Sequence, residues 1–352
     1  MSQTPTEETR IDQPEARELL IDLVSIPSVS GEEQACADHL ASFFEAYDRR
    51  VWIDERGNVR APADDAALLT SHIDTVPGDI PVRVEDGVLW GRGSVDAKGS
   101  LAAMAVAAIH TGVSFVGVIG EEVDSGGAHH LVDDRDAPEA VINGEPSGWD
   151  GITLGYRGLL GGTYVSTSES GHTSRPTQNA IQHAMAWWNR VEAAFDPDEW
   201  QSVFERVTTK PTNVRGGTAN DGLSVEMTMD VQLRVPPDMT TESVREIADG
   251  ELEEGTVTWW DEVPPVMESP RTPLARAFRG AIRAEGGEPR MVRKTGTSDM
   301  NVYADAWDVP IVTYGPGDSG LDHTPDEHVA LSEYDRAIAV LERVVTRLQE
   351  NS

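Results

Sequence analysis

The sequence predicts an α/β protein in which a discontinuous first domain, residues 1–157 and 265–352, carries an inserted α+β domain at 158–264. Three observations carry this. In the first part of the chain, short apolar runs that stop in Gly- or Pro-marked polar loops alternate with helical patterns. From Gly158 the pattern becomes strand, helix, strand, helix, strand. After "DEVPPVMESPRTP" the α/β alternation returns and runs to a final helix. A chain of 352 residues is long enough for two domains.

From Pro14 to Tyr47 the pattern reads helix, short turn, helix, the second helix opening after Ser30 with acidic residues in its first turn. "AALLTSHIDTVPG" and "SFVGVIGEEVDSGG" each lead from an apolar strand into a polar loop. Between them "SLAAMAVAAIHTG", residues 100–112, is a small-residue helix ended by Gly112. "EAVINGEPSG" repeats the strand-then-acid design. In open α/β sheets, ligands sit beyond the carboxyl ends of the strands, which is where these acids fall.

The insert reads as strands at 158–170, 223–237 and 255–260 and helices at 179–195 and 240–252. Alternation in "LSVEMTMDVQLRVPP" puts Val225, Met227, Met229, Val231 and Leu233 on one face and Glu226, Thr228, Asp230, Gln232 and Arg234 on the other. That pattern describes a half-exposed sheet backed by two helices. The last helix of the chain is "EYDRAIAVLERVVTRL".

Composition narrows the classes of function. The formal net charge is −33, and of 28 basic residues only Lys98, Lys210 and Lys294 are lysine. Such a surface suits concentrated salt, where the Debye length falls to about 3 Å at 1 M and self-repulsion is screened. No basic stripe is available for phosphate, so a nucleic-acid partner is not expected. Cys36 is the only cysteine, which excludes an internal disulfide and fits a reducing compartment. Its place in an amphipathic helix marks it as a buried small hydrophobe. "MSQTPTEETR" is a loose polar start without an apolar leader, and no run is long enough to span a bilayer. A soluble cytoplasmic protein without a membrane partner is the expectation.

The candidate chemistry lies at successive strand ends: His72 and Asp74 in "SHIDTVPG", Asp96 in "GRGSVDAKG", Glu121 and Glu122 in "GEEVDSGG", Glu145 in "NGEPSG" and His323 in "LDHTPDEHV". Singly each has a plainer reading as a turn or surface residue, and Glu-Glu pairs also occur at 7–8, 32–33 and 253–254. Together they are imidazole and carboxylate donors that one sheet edge would gather, a set suited to Zn²⁺ or a similar divalent ion. Five ligands with one shared carboxylate would hold two ions, which in such sites stand about 3.5–4 Å apart and acidify a bound water. His129, His130, His183 and His328 belong to no such pattern.

These stretches, with "GRGSVDAKGSLAAM", "ESGHTSRP" and "DHTPDE", resemble the motifs of the co-catalytic zinc metallopeptidase family M20, which includes acetylornithine deacetylase, succinyl-diaminopimelate desuccinylase and carboxypeptidase G. The match is ordered and runs from about residue 15 to the C-terminus. Between His72 and Leu101 it most resembles the branch that releases lysine or ornithine from an amino-group carrier protein. The resemblance implies a mixed-sheet catalytic domain with an inserted lid that forms a homodimer. It implies two Zn²⁺ per subunit, with Co²⁺ as an alternative occupant. Asp96 would bridge them, His72 and Glu145 would bind one, and Glu122 and His323 the other. Asp74 would orient His72, and Glu121 would be the general base. His172 would steady the oxyanion in a neighbouring active site, while Asn220, Arg234, Gly296 and Thr297 would contact substrate. The expected substrate is an acidic carrier protein in lysine or arginine biosynthesis, received by a positive patch drawing on Arg157, Arg175 and Arg215. A small-molecule N-acyl amino acid deacylase or dipeptidase would use the same chemistry, and a binding module without turnover would use none of it.

Overall fold

The computed structural model describes residues 10–196, 201–220 and 222–351; the start of the chain as far as residue 9, expected from its composition to be a loose tail, lies outside them. The chain divides into two units, Met1–Leu154 with Glu268–Val292 and Ser298–Ser352, and Gly155–Met267 with Arg293–Thr297. The sequence-derived boundaries placed 293–297 with the first part. Backbone bonding explains its membership: Arg157 N–H donates to the Lys294 carbonyl at 3.4 Å.

In the first unit the two expected opening helices are Gln13–Ser25 and Gln34–Ala46. The main sheet runs in the order Trp52–Ile53, Val59–Ala61, Val113–Val118, Asp64–His72, Val141–Gly144, Ile311–Thr313, Gly151–Tyr156. Val113–Val118, Asp64–His72, Val141–Gly144 and Ile311–Thr313 are mutually parallel, and the strands flanking them are antiparallel. All six residues of Val113–Val118 and all four of Val141–Gly144 are buried, the reason these strands read as continuous apolar runs. The parallel register aligns His72 with Val118 and Ser71 with Gly144, so three strands end at one edge.

The small-residue helix is Lys98–Thr111, closed by Gly112 at φ 73°. From Lys98 to Ile109 every residue is buried, because Gly99 and the alanines let neighbouring elements approach closely. It packs between the first helix and the C-terminal helix Leu331–Gln349. Cys36 is buried, as expected. A small antiparallel sheet of His328–Ala330, Val88–Trp90 and Arg83–Glu85 completes the unit.

The second unit holds an antiparallel sheet ordered Thr208–Thr218, Ser224–Val235, Gly158–Glu169, Thr256–Val263, with helices Ala180–Ala194 and Thr241–Gly250. Met227, Met229, Val231 and Leu233 are buried and the residues between them are not, which bears out the alternation. Trp187 stacks on Tyr164 at 4.9 Å beneath that face. The strand Thr208–Thr218 was not expected from the sequence. It is the sheet's edge, has no buried residue, and contains Pro211 beside a register shift, so it shows neither apolar alternation nor unbroken propensity. Among the described residues no helix is long and apolar enough to cross a membrane.

Candidate active site

Three of the four parallel strands hand a side chain to the same edge. His72 is the last residue of its strand, Glu145 follows Val141–Gly144 directly, and Glu121 and Glu122 lie in the turn after Val113–Val118. Gly120, at φ 74°, opens that turn in a conformation that favours glycine. Asp96 lies just before helix Lys98–Thr111, and His323 occupies an exposed turn at φ 58°.

The side chains converge. His72 Nε2 stands 3.2 Å from Asp96 Oδ1 and 3.6 Å from Glu145 Oε1. His323 Nε2 stands 3.1 Å from Asp96 Oδ2 and 3.0 Å from Glu122 Oε2. Asp96 thus presents one oxygen to each imidazole. Donor atoms of His72, Glu121 and Glu145, and again of His72, Asp96 and Glu122, lie within 4.8 Å of one another.

Asp74 supports the cluster from beneath. Its backbone oxygen accepts from His72 Nδ1 at 2.9 Å. A carbonyl can only accept, so Nδ1 carries a proton and the Nε2 lone pair of the neutral ring is left for an ion. The fully buried Asp74 carboxylate accepts the backbone N–H groups of Glu121 and Glu122, both at 3.1 Å, and the Ser30 hydroxyl at 2.7 Å.

The electrostatics favour cations. Among the described residues, the imidazoles are the only cationic side chains paired with Asp96 and Glu122. Burial, then the charge of Glu145, pushes the Glu121 carboxyl well above its ordinary range. Burial and the charge of Asp96 raise Glu122. Burial opposes protonation of His72, but hydrogen bonds to Asp74 and Asp96 outweigh it and hold the ring's pKa high. The hydrogen bond to Asp96 leads the causes that raise His323 to about 9. Glu121 and Glu122 are thus biased to hold protons unless a stronger positive charge replaces them, whereas despite burial hydrogen bonds from the imidazoles keep Asp96 and Asp74 ionised. By donor chemistry and by charge, the set fits divalent ions.

Two residues here escaped the sequence reading. Asp299 is 1% exposed, has a buried Oδ1 without a hydrogen-bond partner, and is raised to about 6 by burial. Glu327 is fully buried four residues beyond His323. Glu327 closes the "DHTPDE" stretch without a role in that reading, and both acids blend into a chain with 61 of them.

The expected substrate residues all lie in the second unit, at opposite ends of its sheet. His172, exposed in the loop after Gly158–Glu169, pairs Nδ1 with Ser174 Oγ at 2.8 Å. Asn220 is exposed in the turn before Ser224–Val235. Both lie beyond the end of the sheet where Glu169 pairs with Ser224. Arg234 lies where that ladder pairs it with Leu159, and its Nη1 donates to Thr297 Oγ1 at 3.3 Å, beside Gly296. Ten residues of strand separate the two groups, roughly 30 Å. The proposed positive patch needs correction: Arg157 is 5% exposed, with Nε donating to the Thr295 carbonyl at 2.9 Å and Nη1 to Thr208 Oγ1 at 2.8 Å. Arg175 and Arg215 are exposed.

A mixed sheet whose parallel strands end in an imidazole and carboxylates, joined by Asp96 and His323 from loops, defines a hydrolase of the metallopeptidase class. The chain belongs to peptidase family M20/M25/M40, whose profile matches residues 68–347. It is 41% identical to the [LysW]-lysine hydrolase of Deinococcus radiodurans over 98% of this chain and 99% of that one. It is 38% identical to a putative [LysW]-lysine/[LysW]-ornithine hydrolase of Thermococcus kodakarensis, covering 96% of this chain and 94% of that one. The fold is similar to aminopeptidase PepT of Bacillus cereus, at 20% identity and a TM-score of 0.80, with coverage of 96% and 99%. It is also similar to a Bacillus subtilis protein described as a dinuclear metal-binding peptidase, at 15% identity and a TM-score of 0.69, with coverage of 96% and 98%.

Proposed function

We propose that this protein releases lysine or ornithine from the C-terminal glutamate of an acidic amino-group carrier protein by hydrolysing an amide bond with two divalent ions, in lysine or arginine biosynthesis. The observation that carries the substrate is the near-full-length similarity to relatives named for that reaction. Zinc is the ion favoured by two imidazoles among carboxylates, with cobalt able to substitute. His72 and Glu145 would hold one ion and Glu122 and His323 the other, with Asp96 between them. Bound there, the ions supply Lewis acidity toward the amide carbonyl and the attacking water.

The remaining steps belong to the chain. Glu121, with its raised pKa and its place beside the cluster, accepts a proton from the water and delivers it to the leaving α-amino group. Asp74 fixes the His72 ring and the backbone of the glutamate pair. Arg234, with Gly296 and Thr297, contacts the substrate, the guanidinium suiting a carboxylate.

His172 and Asn220 stand too far along the sheet from Arg234 to serve the same pocket within one chain. That separation supports a homodimer made through the second unit, which acts as a lid and sends His172 to steady the oxyanion of the partner's site. The acid-rich composition supports a protein of concentrated salt, where repulsion between enzyme and acidic carrier is screened, and the single cysteine fits the cytoplasm. Assay at high salt of lysine-loaded carrier, ornithine-loaded carrier and free N-acetylornithine tests the reading. It holds if kcat/KM is highest on a loaded carrier, and fails in favour of a small-molecule deacylase if the free acyl compound is preferred.

A further inference from the structure

Glu327 is a carboxylate without access to water, in the interior of the first unit. An isolated buried carboxylate is costly, so its partners carry information. Its Oε1 accepts the backbone N–H of Val95 at 2.9 Å and that of Asp96 at 3.1 Å. Its Oε2 takes Arg92 Nη1 at 2.6 Å, and its backbone carbonyl accepts Gly91 N–H at 3.3 Å. Arg92 in turn donates Nε to the Gly78 carbonyl at 3.1 Å. One residue therefore holds both ends of the 91–96 loop, whose last member is Asp96.

Glu327 also lies four residues beyond His323, where its loop leads into the strand His328–Ala330. The His323 side chain is 53% exposed, so packing around the imidazole contributes little to its position. The strands behind His72 and Glu145 are different, because they pair directly with each other. Glu121 and Glu122 sit in a turn held by Asp74, whereas Asp96 and His323 depend on two loops that meet at Glu327.

We propose that Glu327 is a positioning residue that registers the Asp96 loop against the His323 loop and so assembles the ion position formed by Asp96, Glu122 and His323. The role rests on the two-ion function proposed for this site. Its consequence is asymmetric: losing the clamp frees both loop-borne ligands of the ion held through His323, but only the shared Asp96 of the ion held through His72 and Glu145, so the first loosens more. Partners one step removed from a metal typically change affinity by about 10–100-fold.

The test uses the full chain, stripped by chelator and titrated with Zn²⁺ by calorimetry and with Co²⁺ by absorption, without substrate. In Glu327→Gln one of the two affinities should fall by about 10–100-fold and the other by clearly less. Equal loosening of both ions, or unchanged affinities with only a lower melting temperature, overturns the proposal. If Glu327→Gln does not fold, Arg92→Gln carries the test, since it removes the charge partner and leaves the Oε1 bonds in place. A selective loss supports the role there, and unchanged affinities overturn it. A wild-type chain that binds a single ion overturns the two-ion reading and this role with it, whereas two ions in wild type and unaltered variants overturn this role alone.

Discussion

Asp74 Oδ1 accepts the backbone N–H of Glu121 at 3.1 Å, tying a residue at one strand end to the turn after the neighbouring strand. The same carboxylate holds Glu122 N–H and lies 3.4 Å from His72 Nδ1. Replacing it with Asn keeps one acceptor oxygen and removes the charge. Asp74→Asn should weaken ion binding by about 10–100-fold and lower kcat. Metal titration of the folded variant checks this, and unchanged affinity would show that Asp74 only shapes the strand end.

Glu121 lies near enough to His72 and Glu145 to be either a ligand or a base. Glu121→Gln separates the two. As the base, its loss should lower kcat by about 10²–10⁴ while two ions remain bound. Loss of an ion from the variant, read by metal analysis, would reassign it as a ligand.

The metal-free protein should become less stable as pH rises above neutrality. His323 titrates near 6.5 when unfolded and at about 9 when folded, chiefly through its hydrogen bond to Asp96. A raised histidine contributes stability fully below its unfolded pKa and loses it as pH climbs through the folded value. Melting of chelated protein from pH 6 to 10 should show this fall, and His323→Gln should flatten it. Added Zn²⁺ should reverse the trend, because ions displace the protons. A pH-independent difference between wild type and variant would contradict the assignment.

Much of the first unit was legible because its buried parallel strands leave apolar runs that end abruptly in acids, and because His72 and His323 cannot be ascribed to acidic composition. What was hidden is equally physical. Thr208–Thr218 is an exposed edge strand that contains a proline and two glycines, so nothing in it alternates. Arg157 resembles any loop arginine until Thr295, Val203 and Thr208 are seen to surround its guanidinium. Glu327 and Asp299 are made special by burial, which a uniformly acidic sequence conceals.

The distance between His172 and Arg234 along one sheet yields a complementation prediction. His172→Ala and Glu121→Gln homodimers should each be nearly inactive. Mixed at equal amounts after subunit exchange, they should recover roughly a quarter of wild-type activity, since half the dimers are mixed and each has one complete site. No recovery, with exchange verified by mass, would confine His172 to its own chain.

The central claim is amide hydrolysis dependent on ions gathered by His72, Asp96, Glu122, Glu145 and His323. Its most direct test titrates chelator-stripped protein with Zn²⁺ at high salt and follows, by intact mass, the loss of one lysyl or ornithyl residue from loaded carrier. The account predicts no unloading without ions and a rate that saturates at two ions per chain. Full unloading by the stripped protein, or a fully loaded enzyme that leaves both carriers intact, would contradict it.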